Sequence, residues 1–388
     1  MNRRQFLAWS AAGFCGVSLG AAFWRNAFAQ PAEPGAGPYG ELLPPDQNGV
    51  RLPAGFSSRV IAVSGQLVPN TALPWHPLPD GGACFAASRR GWAYVSNSEV
   101  PGAGGASMIR FNPNGHVVDA RRILAGTSVN CAGGPTPWGT WLSCEEWDGG
   151  QVWECHLNGR LALARPAMGR FTHEAAAVDP MHQAVYLTED EPDGRFYRFE
   201  PESWPDLTSG KLFAASVAPD GMVTWHEGPD DIALRFAARF WPNAGETTQF
   251  SGGEGCWYDS GLVYFTTKGD NRVWLYDDAT RRLEVIHDPL VHPDSPLRGV
   301  DNVTVSRSGD IYVAEDGGDM QLCLITPPDP LTQKRVVAPF LQLVGHDGSE
   351  ITGPAFNPAG ERLYFSSQRG VNNGGVGMTF EVRGPFRS

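Results

Sequence analysis

The chain has 388 residues, with 42 acidic against 30 basic side chains and a formal charge of −12. That balance excludes nucleic acid and an anionic membrane surface as natural partners. With 47 glycines, 32 prolines, many aromatics and no long helical periodicity, the composition predicts short strands joined by tight turns.

The first element is an address. Asn2-Arg-Arg-Gln-Phe-Leu7 leads into an apolar run over residues 7–23, and Ala27-Phe-Ala29 offers a small-x-small cleavage site. This predicts a twin-arginine signal peptide over residues 1–29, read by the twin-arginine export machinery, and a periplasmic or secreted product. The apolar run is too short for a stable membrane anchor. Beyond it lie Cys84, Cys131, Cys144, Cys155, Cys256 and Cys323, without CxxC spacing, so no disulfide framework is predicted. Residues 30–48, rich in Pro and Gly, read as a flexible leader into a single domain over 49–388.

Within that domain one phrase recurs: a short apolar strand, a turn, then a second strand ending in polar or acidic residues. The second strands begin at Gly91, Gly139, Gln183, Gly261, Gly309 and Glu361, at separations of 48, 44, 78, 48 and 52 residues. The long interval predicts an insertion over 201–250. A four-stranded unit of roughly 45 residues is the period of a propeller blade, so the prediction is all-β, a six-bladed β-propeller.

In a propeller the starts of the innermost strands converge at one end of the axis, and the second strands return their ends to the same face. The first set is Gly81-Gly82, Cys131, Glu174, Glu254, Asp301-Asn302 and Thr352-Gly353. The second is Asn97 and Glu99, Glu145 and Glu146, Glu189 and Asp190, Lys268, Glu315 and Asp316, and Gln368. So many carboxylates need cations to share one mouth. Oxygen-rich sites favour Ca²⁺, Mg²⁺ or Mn²⁺, and one thiolate shifts the choice toward a softer ion. Zinc alone fits poorly, and His173 stands as either ligand or core residue. Iron on Cys131 with calcium on the carboxylates satisfies the inventory best.

The segment Asn130-Cys-Ala-Gly-Gly-Pro-Thr-Pro-Trp-Gly-Thr-Trp-Leu-Ser-Cys-Glu-Glu146 closely resembles the hallmark of the PhoX-type alkaline phosphatases. Shorter matches run along the chain at Asn97-Ser-Glu99, Thr172-His-Glu174, Glu189-Asp190, Glu254-Gly255, Asp301-Asn302, Glu315-Asp316 and Glu350-Ile-Thr-Gly-Pro354. The resemblance implies an exported six-bladed propeller whose iron and calcium cluster hydrolyses phosphate monoesters, a small-molecule substrate. It implies Cys131 as thiolate ligand and Glu174, Glu254 and a member of the Glu145-Glu146 pair as carboxylates on the cluster. Glu189, Asp301 and Glu315 follow on the calcium side. No side-chain nucleophile is expected; Lys268, Asn97 and Arg298 are expected to contact substrate. The family's Arg-Pro before the Glu-Gly pair is here Gly252-Gly253, and that arginine holds substrate phosphate. Its loss predicts a weakened phosphatase.

Two other readings compete. Calcium-dependent lactonases of the gluconolactonase type share the architecture but need no thiolate. A non-catalytic, metal-stabilised binding propeller would explain Gly252. Beyond the signal segment, where Gly16-Val-Ser-Leu-Gly20 belongs to the apolar run, no Gly-x-Ser-x-Gly elbow and no phosphate-binding P-loop occur.

Overall fold

The structure, a computed structural model, describes residues 30–388; the export signal lies outside them. Six antiparallel sheets follow one another around an axis. Blade one comprises Pro79–Ala86, Trp92–Ser98, Gly104–Phe111 and Val117–Thr127, and blade two Asn130–Pro135, Thr140–Glu145, Val152–His156 and Ala162–Ala164. Blade three has a fifth strand: His173–Asp179, Ala184–Glu189, Phe196–Ser203, Asp206–Val217 and Val223–Glu227. Blade four is Gly253–Asp259, Leu262–Thr267, Arg272–Asp277 and Arg282–His287, and blade five Val300–Val305, Ile311–Glu315, Gln321–Ile325 and Val336–Leu343. Blade six joins Ile351–Phe356, Arg362–Ser367 and Met378–Arg383 to Ser57–Val63, a strand from the start of the domain. That last pairing, Arg383 opposite Ser57 through Met378 opposite Val63, closes the ring. Closure across the two ends of the domain removes the edge that an open array would present.

The six innermost strands pack against one another in sequence, the last against the first. They can do so because small residues sit where they touch. A Cβ on Gly81 would lie 2.4 Å from Ala132 Cα, and one on Gly255 2.7 Å from Asn302 Cα. Between blades, aromatic side chains of the second and third strands fill the wedge. Tyr94 stacks on Tyr364 at 5.1 Å and Phe196 on Phe265 at 4.2 Å. Such pairs add about 0.5–1.5 kcal/mol beyond the area they bury. The six cysteines among the described residues are all free. Among those residues no helix is long and apolar enough to cross a membrane.

Two expectations are corrected. Residues 30–48 are not a flexible leader but a packed strap. Ala32 is fully buried and its N–H donates to Ile286 O at 2.8 Å, in blade four. Glu33–Pro34 then pairs parallel with the outer strand of blade five, and Tyr39 meets Phe56 and Phe340 edge-on. The Pro and Gly content suits an extended course needing few ladder bonds; the anchors are single residues, which composition does not reveal. The insertion also starts later than 201. Residues 201–227 are regular blade, and only 228–250 depart from it, in three short 3₁₀ turns. Arg235 ties that segment down, donating to Pro229 O, Ala167 O and Gly210 O.

Candidate metal centre

In every blade the first residue of the innermost strand pairs with the last residue of the second: Pro79 with Ser98, Asn130 with Glu145, His173 with Glu189, Gly253 with Thr267, Val300 with Glu315 and Ile351 with Ser367. The register slips just inside that pair in blades one to five and one pair further in, after Thr352, in blade six, a β-bulge that re-aims the next side chain. The residues one step on are Asp80, Cys131, Glu174, Glu254, Asp301 and Thr352 from the inner strands. From the second strands they are Glu99, Glu146, Asp190, Lys268, Asp316 and Gln368.

These two rings meet. One donor atom each from Cys131, Glu146 and Glu174 lie within 4.8 Å of one another, as do those of Glu174, Glu254 and Asp301, and of Asp80, Glu99 and Glu350. Glu174 thus bridges two of the three groups. Its Oε1 accepts from Cys131 Sγ at 3.2 Å, while its Oε2 is buried with no hydrogen-bond partner. Gln368 Nε2 donates to both Asp80 and Glu99 at 2.6 Å, and Arg369 pairs with Glu350 at 2.7 Å.

Crowding shows in the acidities. Burial, then neighbouring carboxylates, holds Glu174, Asp80 and Asp301 well above the ordinary carboxylate range. Burial and the hydrogen bond with Asp190 raise Glu146 to about 10, and burial with the charge of Asp190 raises Glu254 to about 8. The Cys131 thiol is pushed up by burial and by Asp80, Glu174, Glu146 and Glu99. Burial and like charge push all of these groups toward the protonated form, Lys268 offsetting the effect in part at Glu254, and a bound cation relieves that condition.

Of the residues expected at the site, Cys131, Glu146, Glu174, Glu254 and Asp301 are brought together. Glu145, Glu189 and Glu315 are not. Glu145 accepts from Ser128 N, Gln151 N and the Trp153 indole, and Glu315 from Arg298 N and Gln321 N. Glu189 accepts from Arg195 N and Tyr197 OH and pairs with Arg239. Successive side chains on a strand point to opposite faces, so the first acid of each pair braces its blade and the second faces the axis. Asn97 is likewise corrected: it is fully buried, donating to Cys131 O and Ala132 O and accepting from Trp141 and Ser143. It welds blade one to blade two and leaves no atom for substrate. Arg298 is exposed on the loop ahead of Val300–Val305, its backbone N–H donating to Glu315. His173 is core, its ring 3.6 Å from that of Phe171 and Nε2 against Gly169 O.

Lys268 reaches the ring, but its charge is committed. Nζ lies 2.5 Å from Asp190 Oδ2 and 2.7 Å from Glu254 Oε1. Asp80 and Glu350 belong to the site and were not among the expected ligands. Asp80 stands one residue before Gly81-Gly82, and the register it shares with Cys131 is visible only once the strand pairing is known.

The family model for alkaline phosphatase PhoX matches residues 86–159 and 154–289. No curated protein matches in sequence. Among solved structures, the PhoX of Pseudomonas fluorescens in complex with vanadate, a transition state analogue, superposes with a TM-score of 0.71 at 17% identity, covering 89% of this chain and 97% of that one. A Bacteroides thetaiotaomicron protein of unknown function follows at 0.51 and 9% identity, covering 88% and 84%. Both show the fold.

Proposed function

From the premise that the chain belongs to the PhoX alkaline phosphatase family, we propose that it is an exported phosphomonoesterase whose metal cluster, of iron and calcium, sits in the acidic mouth of the propeller. The observation that carries this is the Cys131, Glu146 and Glu174 group, a thiol among buried carboxyls, with Glu174 Oε2 left unpartnered. The donor set fits the cofactors. Cys131 with Glu146 and Glu174 would hold the softer ion; Asp301 with Glu254, and Asp80 with Glu99 and Glu350, offer oxygen only, as calcium prefers. When bound, the metals supply Lewis-acid stabilisation of the phosphoryl oxygens and a nucleophile at moderate pH.

The chain's own residues do the rest. The inner-strand bulges fix the ligands on rigid backbone at the axis rather than on loops, which keeps their spacing constant through a cycle. Gln368 orients Asp80 and Glu99 by donating to both. Burial excludes water from the floor of the site, where Glu174 is fully covered. For substrate grip the chain is poorer than its relatives. Gly252 offers no guanidinium fork, and Lys268 is occupied by two acids. Turnover is therefore expected to be lower by about 10²-fold than in members with the arginine.

The test is hydrolysis of p-nitrophenyl phosphate at alkaline pH by natively exported protein, with iron and calcium measured in the same sample. Slow, chelator-sensitive turnover is expected. Metal-replete protein without turnover would sink the phosphatase and leave the binding propeller.

A further inference from the structure

The outer ring of the mouth carries an acid at four of its six positions, Glu99, Glu146, Asp190 and Asp316, and breaks sign at one, Lys268. We propose that the Lys268 ammonium is a built-in cation of the cluster, filling the Asp190 and Glu254 wall so that this chain holds one divalent ion fewer than its acids alone would take. The inference rests on the cluster reading above.

Three observations converge on it. Nζ lies between carboxylates of two different blades, 2.5 Å from Asp190 and 2.7 Å from Glu254, and it meets two acids at once, both largely buried. The stem is also accommodated by a specific vacancy. Gly252 has φ +64, and a Cβ there would lie 2.8 Å from Lys268 Cγ and 3.2 Å from Asp190 Oδ1. A side chain at 252 and the observed course of Lys268 exclude each other. Finally, the backbone locks the two together: Lys268 N donates to Gly252 O and Gly252 N to Glu191 O, both at 2.8 Å. The ammonium is a compact point charge with three donors, well suited to bridge two carboxylates without the fixed plane of a guanidinium.

The wall is thus neutralised from within the chain. A divalent ion entering between Asp190 and Glu254 would have to displace a tethered cation held by both acids, whereas on the Asp80 side Arg369 pairs with Glu350 alone. Removing the ammonium should create a site rather than destroy one.

The experiment measures metal content by plasma mass spectrometry after purification in excess calcium, for wild type, Lys268→Gln and Lys268→Arg, with melting temperatures in chelator and in calcium. Lys268→Gln is expected to gain about one divalent ion per chain, given the preference of such oxygen cages for calcium, and to melt below wild type in chelator but not in calcium. Lys268→Arg should keep the wild-type content. Equal, non-zero metal content in wild type and Lys268→Gln would overturn the inference and leave the cluster standing. Absence of metal from both would overturn the cluster as well.

Discussion

Cys131 gathers more of the site's chemistry than any other residue. Its thiol is buried against Glu174 and held protonated by four neighbouring acids. Only a cation can reverse that balance, because thiolate ligation needs the proton gone. Cys131→Ala should therefore lose its iron while keeping a folded propeller, read by elemental analysis beside circular dichroism; wild-type iron content in that variant would remove Cys131 from the cluster. Gly252 presents the opposite case. Restoring the family's arginine is the obvious gain of function to test, yet the φ of +64 at Gly252 and the 2.8 Å approach of a Cβ there to Lys268 Cγ oppose it. A left-handed conformation costs a non-glycine residue about 1–2 kcal/mol. Gly252→Arg alone should lower the melting temperature without raising p-nitrophenyl phosphate turnover, and Gly252→Arg with Lys268→Ala should be the better enzyme. A single Gly252→Arg that outperforms wild type would refute this account. The arginine's absence was legible in the sequence; the reason it cannot simply be put back was not, since it depends on a neighbour from another strand.

Among the elements, the informative one is the end of each second strand. Glu145, Glu189 and Glu315 occupy the same register position in blades two, three and five. Each accepts a backbone N–H from the start of the following strand: Gln151, Arg195 and Gln321. They cap the turn that would otherwise leave those donors unpaired, and a buried donor left unsatisfied costs about 1–3 kcal/mol. Glu315→Gln keeps one acceptor oxygen and loses the other, leaving either Arg298 N or Gln321 N without its partner. It should destabilise by about 1–3 kcal/mol in denaturant unfolding while binding as much metal as wild type. A loss of calcium with unchanged stability would return Glu315 to the ligand set. The phase of the repeat, the blade count and the face carrying the acids could all be read from the recurring phrase. Which member of each acidic pair faces the axis could not, because a shift of one residue inverts every side chain of a strand. The bulges that set this parity leave no mark in the apolar pattern, and the one between Pro79 and Gly82 hides the register of Asp80 in the same way. The strap over 30–48 escaped for another cause, its anchors being the isolated contacts of Ala32 and Tyr39.

For the whole molecule, the consequence is a propeller whose stability depends on what its mouth contains. Nine carboxyl groups, Asp80, Glu99, Glu146, Glu174, Asp190, Glu254, Asp301, Asp316 and Glu350, converge there, with Lys268 and Arg369 as the cations paired to them. Without metal, burial and mutual repulsion hold Glu350 at about 7, Glu254 at about 8 and Glu146 at about 10, against 4.5 for an unperturbed glutamate. The folded state then keeps protons that the unfolded chain would release. Stability falls with pH wherever the folded state binds more protons, so this contribution is intact below about 4.5 and is lost progressively as pH rises through 7, 8 and 10. Metal-free protein should melt at steadily lower temperature from about pH 5 to pH 9. Calcium replaces those protons, so its stabilisation should grow over the same interval, reaching about 2.7 kcal/mol at a hundredfold excess over its dissociation constant for a single site. Melting curves with and without chelator across that range measure both slopes. A metal-free melting temperature that stays level or climbs between pH 5 and 9, or a protein indifferent to chelator at pH 9, would mean that the acids do not share one unscreened site. The alkaline optimum expected of the activity would follow from the same exchange, since the ligands become available to metal only as their protons leave.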